Sequence, residues 1–293
     1  MVPRATRRRQ RRSEIRRARR QRRRVVLLAL LVLVGVAIAV SVFVVRKNAV
    51  ADGPDKGMLL LNEGFDGTTL NSNNWSPCYE WSANGCTNMG NHELEWYIPQ
   101  QVKVANGVLS LEAKPQTITG IDNRQFDYVS GMISGLSPDR TLFSFKYGYV
   151  ESRVQIPKGQ GLWPALWMLP ASRQPLPEVD IFETVGEHPD VAQLHTHWLE
   201  HGKNVGKGIR WHGPDLSTGW HTFGLEWKPN SLTWYVDGVA RLHVTDPKQI
   251  PHEQMYLIAN LAVGGAFTKP PNQSTPFPSA LKIDYIKVWG EPA

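Results

Sequence analysis

Short runs of β-forming residues follow one another along the chain from about Met58 onward, separated by Gly, Pro and Asn. In residues 108–113, and again in residues 142–145, apolar and polar side chains alternate, as they do in a strand that buries one face. No stretch of this body keeps a 3.6-residue apolar period over three turns, so we expect no long helix in it. The pattern predicts an all-β fold, an antiparallel sandwich of two sheets with at least about ten short strands.

Further strands are predicted where β-branched and aromatic residues cluster. They are residues 126–134, 147–156, 193–199, 220–227, 232–236, 255–263 and 281–289. Asp237 and Gly238 directly follow one of these runs, and Asp-Gly is a strong signal for a two-residue hairpin turn. We therefore expect a β-hairpin at this pair.

The N-terminal part of the chain has a different pattern. Residues 25–45 form an apolar run whose only hydroxyl belongs to Ser41, and at about 1.5 Å per residue a helix of this length matches the roughly 30 Å hydrocarbon core of a bilayer. Residues 1–24 contain thirteen Arg and one Glu, and such positive charge stays on the cytoplasmic side. We predict an Arg-rich cytoplasmic tail (1–24), a transmembrane signal-anchor helix (25–45), a linker (46–57) and an exported body (58–293).

The competing interpretation is a signal peptide that is removed. Ala49-Val50-Ala51 has the small-x-small form of a cleavage site, and cleavage near Ala51 would release the body as a secreted protein. The apolar run is, however, longer than the roughly 7 to 15 residues usual for a signal, and Arg46 and Lys47 lie between it and the site. The sequence therefore favours a membrane-anchored protein with its body outside the cytoplasm.

Charge is unevenly distributed along the chain. The whole sequence has 33 Lys and Arg against 26 Asp and Glu, a net charge of +7. The tail contributes +12 of this, whereas residues 52–293 hold 18 basic and 25 acidic side chains, a net of −7. Nucleic-acid binding needs clustered Lys and Arg opposite the phosphates, so we expect no nucleic-acid partner for the body. The Arg tail is accounted for by membrane topology.

The chain has two cysteines, Cys78 and Cys86, in a segment rich in Asn, Ser and Gly. In an exported protein the oxidising surroundings would allow them to form a disulfide, and two free thiols are the alternative. The loop that the disulfide would close is short, so we expect its stabilisation to be modest and local.

Three carboxylates, Glu178, Asp180 and Glu183, stand close together among β-branched and aromatic residues. In a regular strand Glu178 and Asp180 point to one face and Glu183 to the other. One bulged residue, Ile181 or Phe182, would bring Glu183 back to the shared face. Carboxylates crowded there resist full ionisation, which would supply the ionised nucleophile and the protonated acid of retaining glycoside hydrolysis. A calcium site and a solvated polar face are the alternatives.

Residues 159–170, GQGLWPALWMLP, followed by Glu178-x-Asp180-x-x-Glu183, resemble the signature of glycoside hydrolase family 16 in its laminarinase-like, endo-β-glucanase branch. Shorter stretches agree with that branch, in its order, over residues 59–289. The resemblance implies a concanavalin-like or lectin-like β-jelly-roll sandwich with a cleft across one sheet. It also implies an endo-acting O-glycosyl hydrolase whose substrate is a β-linked glucan or galactan.

The resemblance further implies roles for individual residues. Glu178 would be the nucleophile, Glu183 the general acid/base and Asp180 the carboxylate that tunes both. The substrate-binding residues would be Trp163, Trp167, His195, Glu93 and Asn260. No cofactor is needed for catalysis, but the family often binds a structural calcium ion, which would lie near Asp284. His195 and His197 could also be regarded as a metal pair, although a third ligand is not evident.

The sequence thus predicts a monomeric, retaining hydrolase that cuts internal bonds of a polysaccharide, β-1,3-glucan or mixed-linkage β-glucan. The alternatives within catalysis are a transglycosylase and an exopolysaccharide depolymerase. The alternative from another class is a carbohydrate-binding protein without activity. The intact set of Glu178, Asp180 and Glu183 argues against that last alternative.

Overall fold

The computed structural model of the chain describes residues 53–81 and 86–292. The predicted Arg tail (1–24) and anchor helix (25–45) lie outside these residues. Within the described part, no helix combines the length and the apolar content that crossing a bilayer requires.

The described residues contain sixteen strands and four single-turn 3-10 helices. The strands are β1 (Leu59–Glu63), β2 (Glu95–Tyr97), β3 (Val102–Ala105), β4 (Val108–Thr119), β5 (Gln125–Ser130), β6 (Met132–Ser134), β7 (Gly148–Gln155), β8 (Leu162–Pro170), β9 (Glu178–Glu183), β10 (Val191–Glu200), β11 (Lys203–His212), β12 (His221–Lys228), β13 (Ser231–Val236), β14 (Val239–Val244), β15 (Met255–Val263) and β16 (Ser279–Trp289). The 3-10 helices are Met89–Asn91, Pro99–Gln101, Ile121–Asn123 and Pro247–Gln249.

Two sheets face each other across a single large core, which confirms the predicted all-β sandwich. The larger sheet has ten strands in the order β14-β13-β12-β7-β16-β4-β5-β2, with β1 beside β16 and β3 beside β4. The smaller has six, in the order β11-β10-β9-β8-β15-β6. The strand pairs are antiparallel except for the short parallel pair of β2 and β5. This arrangement is that of a jelly-roll-like sandwich.

Large apolar side chains of both sheets meet in the core. Phe182 of β9 packs on Phe223 of β12 with ring centroids 4.4 Å apart, and Trp227 and Trp234 of the larger sheet are completely buried. Aromatic residues of this size dominate the hydrophobic stabilisation of a sandwich. The core therefore fixes the position of β9, the strand that carries the three acidic residues.

The structure confirms the predicted hairpin and divides one of the predicted strands into two. The hairpin at Asp237-Gly238 is confirmed, since both residues have positive φ (51° and 71°) and join β13 to β14. The prediction of one strand over residues 126–134 is wrong in one respect: the chain leaves the larger sheet as β5, passes Gly131, and enters the smaller sheet as β6. A Cβ at Gly131 would lie 2.4 Å from a backbone oxygen, so this crossing needs glycine.

The strand predicted at residues 142–145 is absent from the described structure. Leu142 and Phe143 both donate their backbone N–H to the same oxygen, that of Gly135, and Phe145 forms a single isolated bridge to Met255. Two adjacent N–H groups that share one acceptor belong to a tight loop, because in a strand they point to opposite sides. The alternation of side chains was therefore a misleading signal at this position.

A cover segment, made of residues 75–81 and 86–98, packs on the outer face of the smaller sheet. The predicted disulfide is confirmed: Cys78 and Cys86 are bonded, with their Cα atoms 5.6 Å apart. Tyr79 and Tyr97 of this segment form a second apolar cluster with residues of β6, β8 and β15. All nine residues of β15 are consequently buried. The cover segment confines the open part of the outer face to one end, over β8, β9 and β10.

Candidate active site

A β-bulge on β9 brings the three predicted catalytic carboxyls to one face. Trp167 of β8 pairs with Asp180, and the residue two positions earlier on β8, Ala165, pairs with Glu183. Three residue steps on β9 therefore correspond to two on its neighbour, and β10 shows the same shift. Ile181 is the extra residue, and like Phe182 it points into the core. The predicted bulge is confirmed, and Glu178, Asp180 and Glu183 share the outer face.

The larger sheet holds the bulge from behind. The indole N–H of Trp234, on β13, donates a hydrogen bond of 2.8 Å to the backbone oxygen of Asp180, the last residue before the extra one. A bulge leaves backbone groups out of the regular ladder, and a buried carbonyl without a donor is costly. Trp234 thus supplies the donor that keeps Asp180 and the bulge in place.

Burial and mutual repulsion raise the pKa of all three carboxyls. Burial is the largest cause in each case: the pKa of Glu178 rises to about 8 with the Asp180 charge adding to it, and that of Asp180 to about 7 with the Glu183 charge adding to it. The pKa of Glu183 also rises to about 8, with a contribution from the Glu178 charge. The group therefore retains protons near neutral pH, as an acid catalyst requires.

His197, on β10, is the histidine that reaches the carboxyls. Its Nε2 lies 3.4 Å from Asp180 Oδ2, and this contact raises the pKa of His197, whereas burial lowers that of His195. Glycines on β11 leave room for both rings, since a Cβ at Gly206 would lie 2.5 Å from the His197 ring and one at Gly208 2.6 Å from the His195 ring. The resemblance predicts His195 as the substrate-binding histidine, whereas the contact with Asp180 belongs to His197, two residues later.

Trp163 holds the side chain of Glu183. Its indole N–H donates to Glu183 Oε1 at 3.0 Å, its ring packs on Phe267 with centroids 4.9 Å apart, and 8% of its surface is exposed. A ring so enclosed offers a sugar little free surface. Trp163 therefore acts more as a positioning residue than as the open sugar platform that the sequence predicts, while Phe267 beside it is 37% exposed.

The predicted site residues converge on one cavity of about 80 Å³. Its walls are Asn88, Asn91, Glu93, Trp163, Ala165, Trp167, Glu178, Asp180, Glu183 and Asn260. Of the predicted catalytic, substrate-binding and metal-binding residues, His195 and Asp284 do not line it. The sequence does not predict Asn88 and Asn91, which precede Glu93 in a polar segment after Cys86.

A second cavity of about 450 Å³ continues the first and shares Glu178, Trp167 and Asn88 with it. Further walls are Trp81 and the ion pair between Glu80 and Arg173, 2.5 Å long. The Trp81 ring stacks on Tyr79 with centroids 4.2 Å apart, which holds it at the cleft. These residues were also missed, because only the fold brings residues 79–81 next to β8.

The structure around Asp284 does not fit a calcium site built on that carboxylate. Asp284 Oδ2 lies 2.7 Å from the Arg153 guanidinium, a cation that competes directly for the oxygen a calcium ion would need. Among the described residues, one group of His, Cys, Asp and Glu has donor atoms close enough to hold a metal ion, within 4.8 Å of one another. It consists of Glu178, Asp180 and His197 and includes neither Asp284 nor His195. Calcium at Asp284 stays a prediction without support from this geometry.

Trp163→Phe should separate the hydrogen bond of Trp163 from its bulk. Because a hydrogen bond to the ionised form lowers the pKa of Glu183, its loss should move the alkaline limb of the kcat/KM profile to higher pH and lower kcat about tenfold. Trp198→Phe is the matched control, since Trp198 is also 8% exposed and its indole nitrogen is buried without a partner. An alkaline limb that moves equally in both variants, or in neither, would contradict this role.

A β-sandwich with crowded carboxyls in an aromatic-lined cleft defines a glycoside hydrolase with two acidic catalysts. The profile described as "Glycosyl hydrolases family 16" matches residues 91–287, and the chain belongs to this family. Endo-1,3-1,4-beta-glycanase EglC of Rhizobium meliloti is 33% identical over 247 residues, which are 80% of this chain and 50% of that protein. The chain thus spans about half the length of this relative.

Two further proteins show how far the similarity extends. Beta-glucanase of Rhodothermus marinus is 33% identical over 224 residues, covering 68% of this chain and 75% of the relative. The crystal structure of the laminarinase catalytic domain from Thermotoga maritima superposes with a TM-score of 0.71 at 30% identity, over 82% of this chain and 100% of that domain. The fold of the body is therefore that of a family 16 catalytic domain.

Proposed function

We propose that the chain is a retaining, endo-acting hydrolase that cleaves internal β-1,3 or mixed-linkage bonds of a β-glucan. The observation that carries the proposal is the bulge at Ile181, which sets Glu178, Asp180 and Glu183 side by side in an aromatic-lined cleft. Aromatic rings stack on the apolar faces of sugars. The relatives named β-glycanase, β-glucanase and laminarinase support a β-glucan as the substrate.

The reaction proceeds in two displacements. Protonated Glu183 gives its proton to the glycosidic oxygen while the Glu178 carboxylate attacks the anomeric carbon, so that the bond to the leaving sugar breaks and a glycosyl-Glu178 ester forms. Glu183, now ionised, takes a proton from water, and the water oxygen displaces Glu178 from the anomeric carbon. Two inversions give overall retention, and both glutamates return to their initial states.

The surroundings of the two glutamates support this division of roles. The charge of His197 lowers the pKa of Glu178, whereas the charge of Glu93 raises that of Glu183. A cation on one side of the group favours the ionised nucleophile, and an anion on the other favours the protonated acid. Asp180 lies between them and interacts with both, since the charge of Glu183 raises the pKa of Asp180 and a hydrogen bond with Glu178 lowers it.

The relative named endo-1,3-1,4-beta-glycanase supports endo action. The larger cavity extends from Glu178 along Trp81 and Trp167, so it offers a path for several sugars of a polysaccharide on one side of the point of cleavage.

Incubation with a panel of polysaccharides tests the proposal. Laminarin and mixed-linkage β-glucan should lose viscosity well before reducing ends accumulate, and the first products should be β-anomers by proton NMR, whereas agar and carrageenan should stay intact. Glu178→Gln serves as the inactive control. Binding of β-glucan without cleavage would favour the non-catalytic alternative, and products longer than the substrate would favour the transglycosylase.

We also propose that residues 25–45 anchor the protein in the membrane, with its body outside the cytoplasm. The full-length chain should then sediment with membranes, while a shortened chain that begins at Asp52 should be soluble with the same kcat, because the described sandwich begins after that residue. Membrane fractionation followed by N-terminal sequencing measures both. If mature protein in the medium begins at Asp52, the proposed anchor is wrong and residues 25–45 belong to a signal peptide that is cleaved after Ala51.

A further inference from the structure

Glu93 and Glu95 form a buried carboxyl pair beside the cleft that the two displacements do not use. Glu95 is the first residue of β2, Glu93 precedes it by two residues, and their carboxyls are in hydrogen-bonding contact. Glu93 is 6% exposed and lines the catalytic cavity, whereas Glu95 is fully buried. Two carboxylates in contact in the protein interior cannot both be ionised, so the pair holds a proton.

A chain of hydrogen bonds shows which member of the pair must accept. The Trp167 indole N–H donates to Asn260 Oδ1 at 2.8 Å, and Asn260 Nδ2 donates to the Tyr97 hydroxyl at 3.0 Å. Tyr97 then donates its own proton to Glu93 Oε2 at 3.1 Å. Because an indole nitrogen can only donate, the orientation of the Asn260 amide is fixed, and the Tyr97 hydroxyl, which accepts from this amide, has its own proton free to donate to Glu93. Asn91 Nδ2 donates to the second oxygen, Glu93 Oε1, at 3.0 Å.

Glu93 thus accepts on both oxygens, as an ionised carboxylate does, and Glu95 has the complementary pattern. Glu95 Oε2 accepts the backbone N–H of Val263 at 2.6 Å, while Oε1 is buried and meets no N–H or O–H donor in the part of the chain that the structure describes. A proton on Oε1 would satisfy it by donation to Glu93. Burial and the Glu93 charge also raise the pKa of Glu95 well above its usual range.

We infer that Glu95 is a neutral carboxylic acid whose O–H donates a hydrogen bond to the Glu93 carboxylate, and that this pair positions the side chains of Asn260 and Trp167 in the cleft. With the proton on Glu95, Glu93 remains the acceptor of the Tyr97 hydroxyl. With the proton on Glu93, one of its oxygens would become a donor, and Glu93 could no longer accept hydrogen bonds on both oxygens. The inference rests on the proposed function, because the cleft is where the polysaccharide binds.

Three substitutions in the full chain test the inference, with KM and kcat measured on laminarin. Glu95→Gln keeps a donor for Glu93 and an acceptor for Val263, so kcat/KM should stay within about threefold of wild type. Glu95→Leu removes the donor, and Glu93→Gln cannot accept on both sides. Both should raise KM about tenfold or more with a smaller change in kcat. Thermal melting identifies a variant that fails to fold. If Glu95→Leu does not fold, the comparison of KM between Glu95→Gln and Glu93→Gln still shows which glutamate carries the proton.

The outcomes are distinct. A tolerated Glu93→Gln together with a damaging Glu95→Gln would place the proton on Glu93, and an unchanged KM in all three variants would rule out the positioning role. Infrared spectroscopy gives a readout that does not depend on activity: the carbonyl band of one neutral carboxylic acid should disappear from the spectrum of Glu95→Gln. A band that persists overturns the inference. A wild-type protein that cleaves no β-glucan but shows this band change would refute only the proposed function.

Discussion

We expect Glu178→Ala to abolish cleavage of both a β-glucan and an aryl β-glycoside with a good leaving group, with kcat at least about 10⁴-fold below wild type. Glu178 forms the bond to the anomeric carbon, and no better leaving group can replace a missing nucleophile. Steady-state rates on the two substrates measure this. Equal loss on both is the signature of nucleophile removal.

Glu183→Ala should divide the two substrates. Cleavage of the β-glucan should fall about 10²- to 10⁴-fold, because its sugar leaving group needs a proton. A nitrophenolate leaves without one, so glycosylation of Glu178 should continue and the ester should accumulate, since no base activates water for the second step. Mass spectrometry of the quenched protein should detect this ester on Glu178.

Azide supplies the check on these roles, since it attacks without a general base. It should restore turnover of the aryl glycoside by Glu183→Ala and give a β-glycosyl azide, and it should convert Glu178→Ala into a slow source of the α-azide. The reverse pairing of products would exchange the roles of Glu178 and Glu183. An inverted anomer from the wild-type protein would exclude the double displacement altogether.

The second large effect concerns stability at alkaline pH. Because the pKa of Glu183 is about 8 in the folded chain and about 4.5 when unfolded, the folded state binds more protons between these values, and its stability falls as pH rises through the window. Glu183→Gln removes this loss. Since Glu183 is half-buried and water screens part of the repulsion, we expect the variant to exceed wild type by about 2 kcal/mol at pH 8.5 and to match it near pH 4.5.

Thermal unfolding over this pH range measures the difference between the two proteins. Asp127→Asn is the matched control, because it removes an exposed carboxylate of β5 and changes the net charge equally. A difference between Glu183→Gln and wild type that stays constant from pH 4.5 to 8.5 would contradict the elevated pKa of Glu183. The prediction implies that the same burial that keeps Glu183 protonated as an acid also lowers the stability of the folded protein at alkaline pH.

Local patterns predicted those parts of the fold and site that depend on neighbours in sequence. A bulge at Ile181 or Phe182 follows from counting side-chain faces along β9, and the structure places it at Ile181. The Asp237-Gly238 turn follows from the backbone freedom of those two residues. The pairing of Cys78 with Cys86 likewise needs only a short loop. In each case the physical constraint acts over fewer than about ten residues, which a single sequence displays.

The parts that escaped prediction depend on distant partners. His195 and His197 are alternate residues of one strand, and only the position of Asp180 on the next strand shows which ring reaches it. The neutral state of Glu95 depends on Val263, 168 residues away, and on how Glu93 is held by its own donors. Such contacts are determined by the packing of the sheets, and they cannot be inferred from residue type alone.

Ile181 has a consequence for how this protein can change over time. An ordinary core residue can be exchanged for another apolar one with an effect on stability alone. At Ile181 the number of residues, and not only their type, determines which way Glu183 faces, so a deletion that shortens β9 by one residue would send that carboxyl into the apolar interior. Substitutions in this core can change stability gradually, whereas one inserted or deleted residue in β9 changes the face of Glu183 in a single step.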